Sequence, residues 1–442
     1  MVLDAAQLRA LRADFPPLAR RRNGLPPIYL NNTCMTLRPR VVIDAIARYY
    51  AEFPTCGGGR SEGAKKLNNW FLEDLHAAES GAREALRRLV NAERAEEMVW
   101  TRNTTEALNI VAHGLALEPG DRIVLSEREH NSNLVPWLEA ERRLRERAGD
   151  PRLVVLETFD IGPDGAFDVT KALAAIRPGV KVVALGHSSN LDGTTIRDVD
   201  LRAVADAVHR VGGVLVLDGA QSVPHRRVDV RALGVDFLAL SLHKMCGPSG
   251  MGALYGRYEA LDRLAPFVVG GDTVHDTWHD RVEYKHPPGR FEAGLQDYAG
   301  MIGSAAAIEY VTGRVGFESI ERHELRLNAQ LTERLAPLEC DHFWLLGPRD
   351  PALRGGVVTM TSPLGSVLNA IARLADVEAN IMLRKGMFCV NAYLHGRFDA
   401  TGTAKNNLRA STYFYNTEEE IETLAKIVER VVRNPLDFMD DE

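Results

Sequence analysis

Two short segments carry side chains that could act together. Val214-Leu215-Val216-Leu217 is an apolar run that turns polar at Asp218-Gly219-Ala220-Gln221. Downstream, Phe237–Leu240 is a second apolar run, and it leads into Ser241-Leu242-His243-Lys244. Apolar runs that abruptly turn polar have the pattern of buried parallel strands delivering side chains at their carboxyl ends. One run delivers a carboxylate and the other a lysine. An amine that can form an imine and an acid that keeps a pyridinium protonated are the two fixed requirements of pyridoxal phosphate (PLP) chemistry.

Other residues fall into the same pattern. His130 follows the run Arg122–Leu125, and Asn190 follows Val180–Leu185. A lone histidine is usually structural or solvated, and a lone Asp218 could be a helix cap. The ends of several strands of one sheet, however, converge on one edge. There Asp218 would meet the pyridinium nitrogen, Gln221 could reach the ring hydroxyl, and His130 could stack on the ring or move protons. Thr101-Arg102-Asn103-Thr104-Thr105-Glu106 follows a strand and opens a helix. Asn103 and Glu106 have the spacing of a capping pair. The hydroxyls and free N–H groups of this helix end suit a phosphate, although a plain helix cap has the same pattern.

These residues need a large scaffold, and 442 residues suffice for two or three domains. The predicted division is an arm over 1–30, a large PLP-binding domain over 31–305 and a small domain over 306–442. Helices are predicted over Ala5–Asp14, Arg40–Phe53, Lys65 to Val90, Thr104 to Leu115, Leu134 to Arg147, Leu201–Val211, Gly303–Val311, Ser319 to Leu338 and Glu418–Val432. Strands are predicted at Ile28–Leu30, Glu97–Thr101, Arg122–Leu125, Leu153–Leu156, Val180–Leu185, Val214–Leu217, Phe237–Leu240, Val357–Thr359 and Met387–Val390. Cys56-Gly57-Gly58-Gly59-Arg60-Ser61 is predicted to be a loop. Alternating strands and helices imply an α/β fold with a mainly parallel sheet flanked by helices, followed by a smaller α+β region.

Apolar content of 45% and charged content of 26% are those of an ordinary globular chain. A net charge of −7 argues against a broad nucleic-acid face. No apolar stretch is long enough to span a bilayer, and no secretory h-region opens the chain. Five cysteines at 34, 56, 246, 340 and 389 form no CxxC pair, which favours reduced thiols and a cytoplasmic location.

The ordered set of motifs resembles the class V aminotransferase family of fold-type I PLP enzymes, and within it the group II cysteine desulfurases and selenocysteine lyases. The set comprises Thr101–Asn109, Glu129-His130 through Trp137, His187-Ser188-Ser189-Asn190, Asp218 to Ser222, Ser241-Leu242-His243-Lys244, Leu408-Arg409-Ala410-Ser411 and Tyr415-Asn416-Thr417. The likeness runs from Ile28 to about Val432. It implies that Lys244 carries PLP covalently, Asp218 binds the ring nitrogen, Gln221 binds the ring oxygen and His130 stacks. It places the phosphate on Thr104, Thr105, Ser241 and His243. It assigns the substrate α-carboxylate to Asn190 and Arg409, whose planar fork suits a carboxylate.

The resemblance also places Cys389, in Arg384-Lys385-Gly386-Met387-Phe388-Cys389, on the family's nucleophilic cysteine. Its thiolate would take sulfur from L-cysteine as a persulfide, release alanine and pass the sulfur to a protein acceptor. The neighbours Phe388 and Val390 suggest a buried setting, while Arg384 and Lys385 could lower the thiol pKa. A homodimer is implied as well. The other expectations are a selenocysteine lyase, another PLP C–S lyase, an epimerase that does without Cys389, or a non-catalytic sulfur-transfer scaffold. Three departures from the family pattern stand out. Met387-Phe388 replaces the usual two histidines, the 390–408 loop is longer, and Leu295-Gln296 stands where a threonine commonly reaches the partner's phosphate. Cys34 and Cys56 would border the site mouth, where they could relay sulfur or join Cys389 around a metal; their spacing fits no standard metal signature.

Overall fold

A computed structural model describes residues 3–57, 70–153 and 155–438. The apolar runs form a seven-stranded sheet. Its strands are β2 (Met98–Thr101), β3 (Arg122–Ser126), β4 (Leu156–Phe159), β5 (Val180–Gly186), β6 (Val214–Asp218), β7 (Phe237–Ser241) and β8 (Gly252–Gly256). β1 (Ile28–Tyr29) lies outside this sheet. The spatial order is β2-β8-β7-β6-β5-β3-β4. The strands from β7 through β4 run parallel, and β8 is antiparallel to both β7 and β2.

Alternation along each strand feeds two cores, one per face. Val124, Val183, Leu215, Leu217 and Leu238 enter one core, with Leu86, Leu201 and Val204 from the helices Trp70–Val90 and Asp198–Arg210. Ile123, Leu125, Val182, Val216 and Ala239 enter the other, with Leu108 and Trp137 from the helices Thr104–Gly114 and Asn131–Ala148. Strands buried on both faces explain why these runs are continuously apolar.

A small hairpin, β9 (Val274–Thr277) and β10 (Val282–Tyr284), precedes the second sheet. That sheet contains β11 (Trp344–Leu345), β12 (Val357–Thr361), β14 (Arg384–Lys385) and β15 (Asn407–Ser411), ordered β11-β12-β15-β14. It has its own core, with Leu327, Leu331, Leu368, Ile371, Leu424 and Val428 from three helices. β1 pairs in parallel with β13 (Ile381–Met382) beside it, and Asn31 then bridges to Ser411.

Several sequence expectations are corrected. The strand expected at Leu153–Leu156 is seen as Leu156–Phe159, with Val154 outside the described residues; the Glu141 carboxylate accepts the Val155 and Leu156 N–H groups at 2.8 and 3.1 Å where it starts. The helix expected at Gly303–Val311 begins at Tyr298 and passes through a π-helical turn, Tyr310–Val315, before the next helix, Phe317–Leu335. Met387–Val390 is a turn and not a strand, since φ is positive at Gly386 (120°), Phe388 (53°) and Cys389 (60°). The longer segment after Cys389 holds a helix, Asn391–Phe398. The helix expected from Lys65 is seen as Trp70–Val90; its first turn and the glycine loop from Gly58 lie outside the described residues.

Candidate active site

The carboxyl ends of β3, β5, β6 and β7 open into one cavity of about 310 Å³. Thr104, Thr105, His130, Asn190, Asp218, Gln221, Ser241, His243, Lys244, Cys389 and Arg409 all line it, so the structure brings together every site residue expected from sequence.

One end of the cavity is built from two helix starts. Asn103 caps the helix Thr104–Gly114 by accepting the Glu106 N–H at 3.0 Å. The expected capping pair is only half formed, because Glu106 takes the Arg102 N–H. His130 caps the helix Asn131–Ala148 through Nδ1, which accepts the Ser132 N–H at 3.0 Å. Hydroxyls join the two starts: Thr105 Oγ1 lies 2.7 Å from Ser132 Oγ, and Thr104 Oγ1 lies 2.7 Å from Ser241 Oγ. Converging positive helix ends with hydroxyl donors suit an anion. Gly252 makes the close approach possible, since a Cβ there would stand 2.6 Å from the Asn103 Cα.

At the other end Asp218 is buried and accepts the Ala220 N–H at 2.9 Å. Burial raises its pKa, and the Lys244 charge opposes the rise. Burial lowers the Lys244 pKa, and the Asp218 charge counters it. His130 is pushed down to about 4 by burial first and then by Lys244 and Arg409. With Nδ1 accepting, its single proton sits on Nε2. His243 is also pushed down to about 4, chiefly by burial. Gln221 donates from Nε2 to the Thr33 carbonyl at 2.9 Å and leaves its buried Oε1 without a partner.

The turn bearing Cys389 is gripped from the same wall. The Asn190 Nδ2 donates to the Phe388 carbonyl at 2.7 Å, and the Asn131 N–H donates to the Cys389 carbonyl at 2.7 Å. Arg409 donates from Nη1 to the Asn190 carbonyl at 2.7 Å and lies over the Phe388 ring, its Cζ 4.4 Å from the centroid. Val390 is buried with Leu191 and Leu394. Left-handed residues cost roughly 1–3 kcal/mol each. Two hydrogen bonds at about 1 kcal/mol each and the burial of Val390 at about 1.5–3 kcal/mol offset that strain. Cys389 itself is exposed to the cavity, contrary to the buried setting its neighbours suggest. Arg384 lines the cavity, whereas Lys385 donates to Asn369. Cys34 lines the cavity as well; Cys56 is exposed but is not part of its wall.

Sequence reasoning missed a role for Glu129. Its buried carboxylate accepts from Ser126 Oγ (2.6 Å), Asn133 Nδ2 (2.7 Å) and the Gly186 N–H (2.8 Å). It thereby ties β3, β5 and the helix start that carries His130. Burial pushes its pKa up to about 7, and the Asp218 charge adds to the rise.

Known proteins resemble this chain in sequence and fold. The class-V aminotransferase family matches residues 28–424. A probable cysteine desulfurase of Halalkalibacterium halodurans is 35% identical over 94% of this chain and 96% of its own. The apo structure of a cysteine desulfurase from Thermococcus onnurineus superposes with a TM-score of 0.83 at 32% identity, covering 96% of this chain and 98% of that one. A cysteine desulfurase of Escherichia coli gives 0.79 at 28% identity, with 98% and 99% covered. With the family matched across nearly the whole length, over the strand ends that build the cavity, this chain belongs to the class-V aminotransferases.

Proposed function

We propose that the protein is a PLP-dependent cysteine desulfurase. The observation that carries this reading is a single cavity in which Lys244, Asp218, Arg409 and Cys389 all present side chains. The residues fit the cofactor: hydroxyls and helix starts at one end, a buried carboxylate at the other, a lysine between, and the orphaned Gln221 Oε1 at the edge.

Lys244 would hold PLP covalently, and Thr104, Thr105, Ser241 and His243 would hold its phosphate. Asp218 would keep the ring nitrogen protonated, Gln221 would meet the ring oxygen, and neutral His130 would stack. PLP bound in this way supplies an electron sink for the substrate Cα. Arg409 and Asn190 orient the α-carboxylate of L-cysteine. The Cys389 thiolate attacks the substrate sulfur, the Cβ–S bond breaks with its electron pair left on carbon, and protonation of that carbon gives alanine. The enzyme keeps the sulfur as a Cys389 persulfide, so cysteine plus thiol becomes alanine plus persulfide with no further reactant.

A protein acceptor then takes the sulfur. The working form is a homodimer, supported by exposed Val268, Val269, Trp278, Val282 and Tyr284 in one stretch of chain around the β9–β10 hairpin. A reducing, cytoplasmic setting agrees with five unpaired cysteines. No helix among the described residues is long and apolar enough to cross a membrane. The test is incubation of the PLP-loaded protein with L-cysteine while alanine, sulfide and protein persulfide are quantified together. Alanine matched by persulfide plus sulfide is expected; no alanine would overturn the reading.

A further inference from the structure

Two of the five cysteines share the cavity. Cys246 is buried and pushed up to about 12 by that burial, which leaves it an inert thiol. Cys340 lies beside His342, and Cys56 is exposed outside the cavity wall. Cys34 and Cys389 both line the cavity and both are exposed to it.

The topology explains the pairing. β1 runs beside β13, with Tyr29 opposite Met382, and then crosses to Ser411 on β15. β14 lies on β15 with Arg384 opposite Arg409. The two thiol-bearing turns therefore leave the same strip of sheet around Arg409. The Cys34 turn is fixed in place: the Thr33 N–H donates to Ser411 Oγ at 3.0 Å, the Thr33 carbonyl accepts from Gln221 at 2.9 Å, and the Cys34 N–H closes onto the Asn31 carbonyl at 3.2 Å. Negative charge on either sulfur favours the protonated forms of both Lys244 and Arg409, so the two thiols share the same pair of cations. Arg409 is only 3% exposed, and its Nε has no partner, so this wall retains capacity for an anion.

We infer that Cys34 is a second sulfur-carrying residue, which accepts the outer sulfur of a Cys389 persulfide within the same cavity. The inference rests on the role of Cys389 proposed above. In the step, the Cys34 thiolate attacks the outer sulfur of Cys389–S–SH. The old S–S bond breaks, a new one forms on Cys34, and Cys389 leaves as a thiolate. One persulfide and one thiolate stand on each side, so no oxidant or reductant enters. Cys389 is then free for a second substrate while the first sulfur is still held.

The experiment exposes the PLP-loaded enzyme briefly to L-cysteine, caps persulfides and maps them by mass spectrometry. Label on both the Cys34 and Cys389 peptides is expected in the wild type. Cys34→Ser should lose the first label and keep the second, and Cys389→Ser should lose both. An unlabelled Cys34 in a wild-type sample whose Cys389 is labelled overturns the inference. So does a labelled Cys34 in Cys389→Ser, which would make Cys34 the direct acceptor. Loss of label from Cys389 in Cys34→Ser would instead refute the role of Cys389 on which the inference depends. A second readout needs no turnover: dibromobimane, which fluoresces when it bridges two nearby thiols, should light up in the wild type and stay dark in either serine variant. A dark wild type also overturns the inference.

Discussion

Arg409 has two tasks at once. Its guanidinium holds the Asn190 carbonyl and covers the Phe388 ring, so the proposed recognition of the substrate carboxylate and the presentation of the Cys389 turn fall to the same side chain. Arg409→Ala should therefore raise KM for L-cysteine by roughly 10–100-fold, the worth of one or two charged hydrogen bonds, and should also lower kcat. Arg409→Lys should recover only part of the loss, because lysine lacks the fork. Steady-state kinetics on both variants check this, and an unchanged KM in both would remove Arg409 from the carboxylate site. Glu129 gives a second test at this scale. Its pKa stands near 7 in the folded protein, against 4.5 as its ordinary value, so the folded state holds the proton more tightly. That stabilisation is complete below about pH 4.5 and is lost as pH rises through about 7; it is on the order of 3 kcal/mol. Thermal unfolding across this range should show the wild type losing stability relative to Glu129→Gln as pH increases. Parallel curves for the two proteins would contradict the assignment.

At the scale of elements, the sequence is most legible where burial on both faces leaves a continuous apolar run. β3, β5, β6 and β7 all lie within a residue of expectation, and with them the positions of Asp218, Ser241 and Lys244. Legibility fails where a long-range contact decides the local backbone. Asn190 and Asn131 hold Phe388 and Cys389 in a turn that their apolar neighbours do not suggest. Glu129 stayed hidden because its partners come from three separate elements. The anion end of the cavity also depends on contact between elements, here on β8 lying flush against Asn103. Gly252→Ala places a Cβ 2.6 Å from the Asn103 Cα and also 2.6 Å from the Leu240 carbonyl, so the backbone must move. A loss of about 1–3 kcal/mol in stability is expected, the usual cost of overpacking, together with weaker PLP binding. Denaturant unfolding and a PLP titration measure the two effects, and native values in both would show that this contact is not needed.

For the whole molecule, the cavity lies where the carboxyl ends of the large sheet meet β14 and β15 of the second sheet. His130, Asn190, Asp218 and Lys244 reach it from the side of the first sheet, and Arg384, Cys389 and Arg409 from the second region. The proposed dimer is tested by light scattering on the PLP-loaded protein. A mass of twice the 48.8 kDa chain is expected, and a monomer would contradict it. The central claim is that sulfur leaves L-cysteine on Cys389. Mass spectrometry after a single turnover tests it most directly, with alanine counted in the same sample. The account requires a persulfide on Cys389 in the wild type, and loss of both persulfide and most alanine in Cys389→Ala. Alanine formed at the wild-type rate by Cys389→Ala, with the sulfur released as free sulfide, would contradict it.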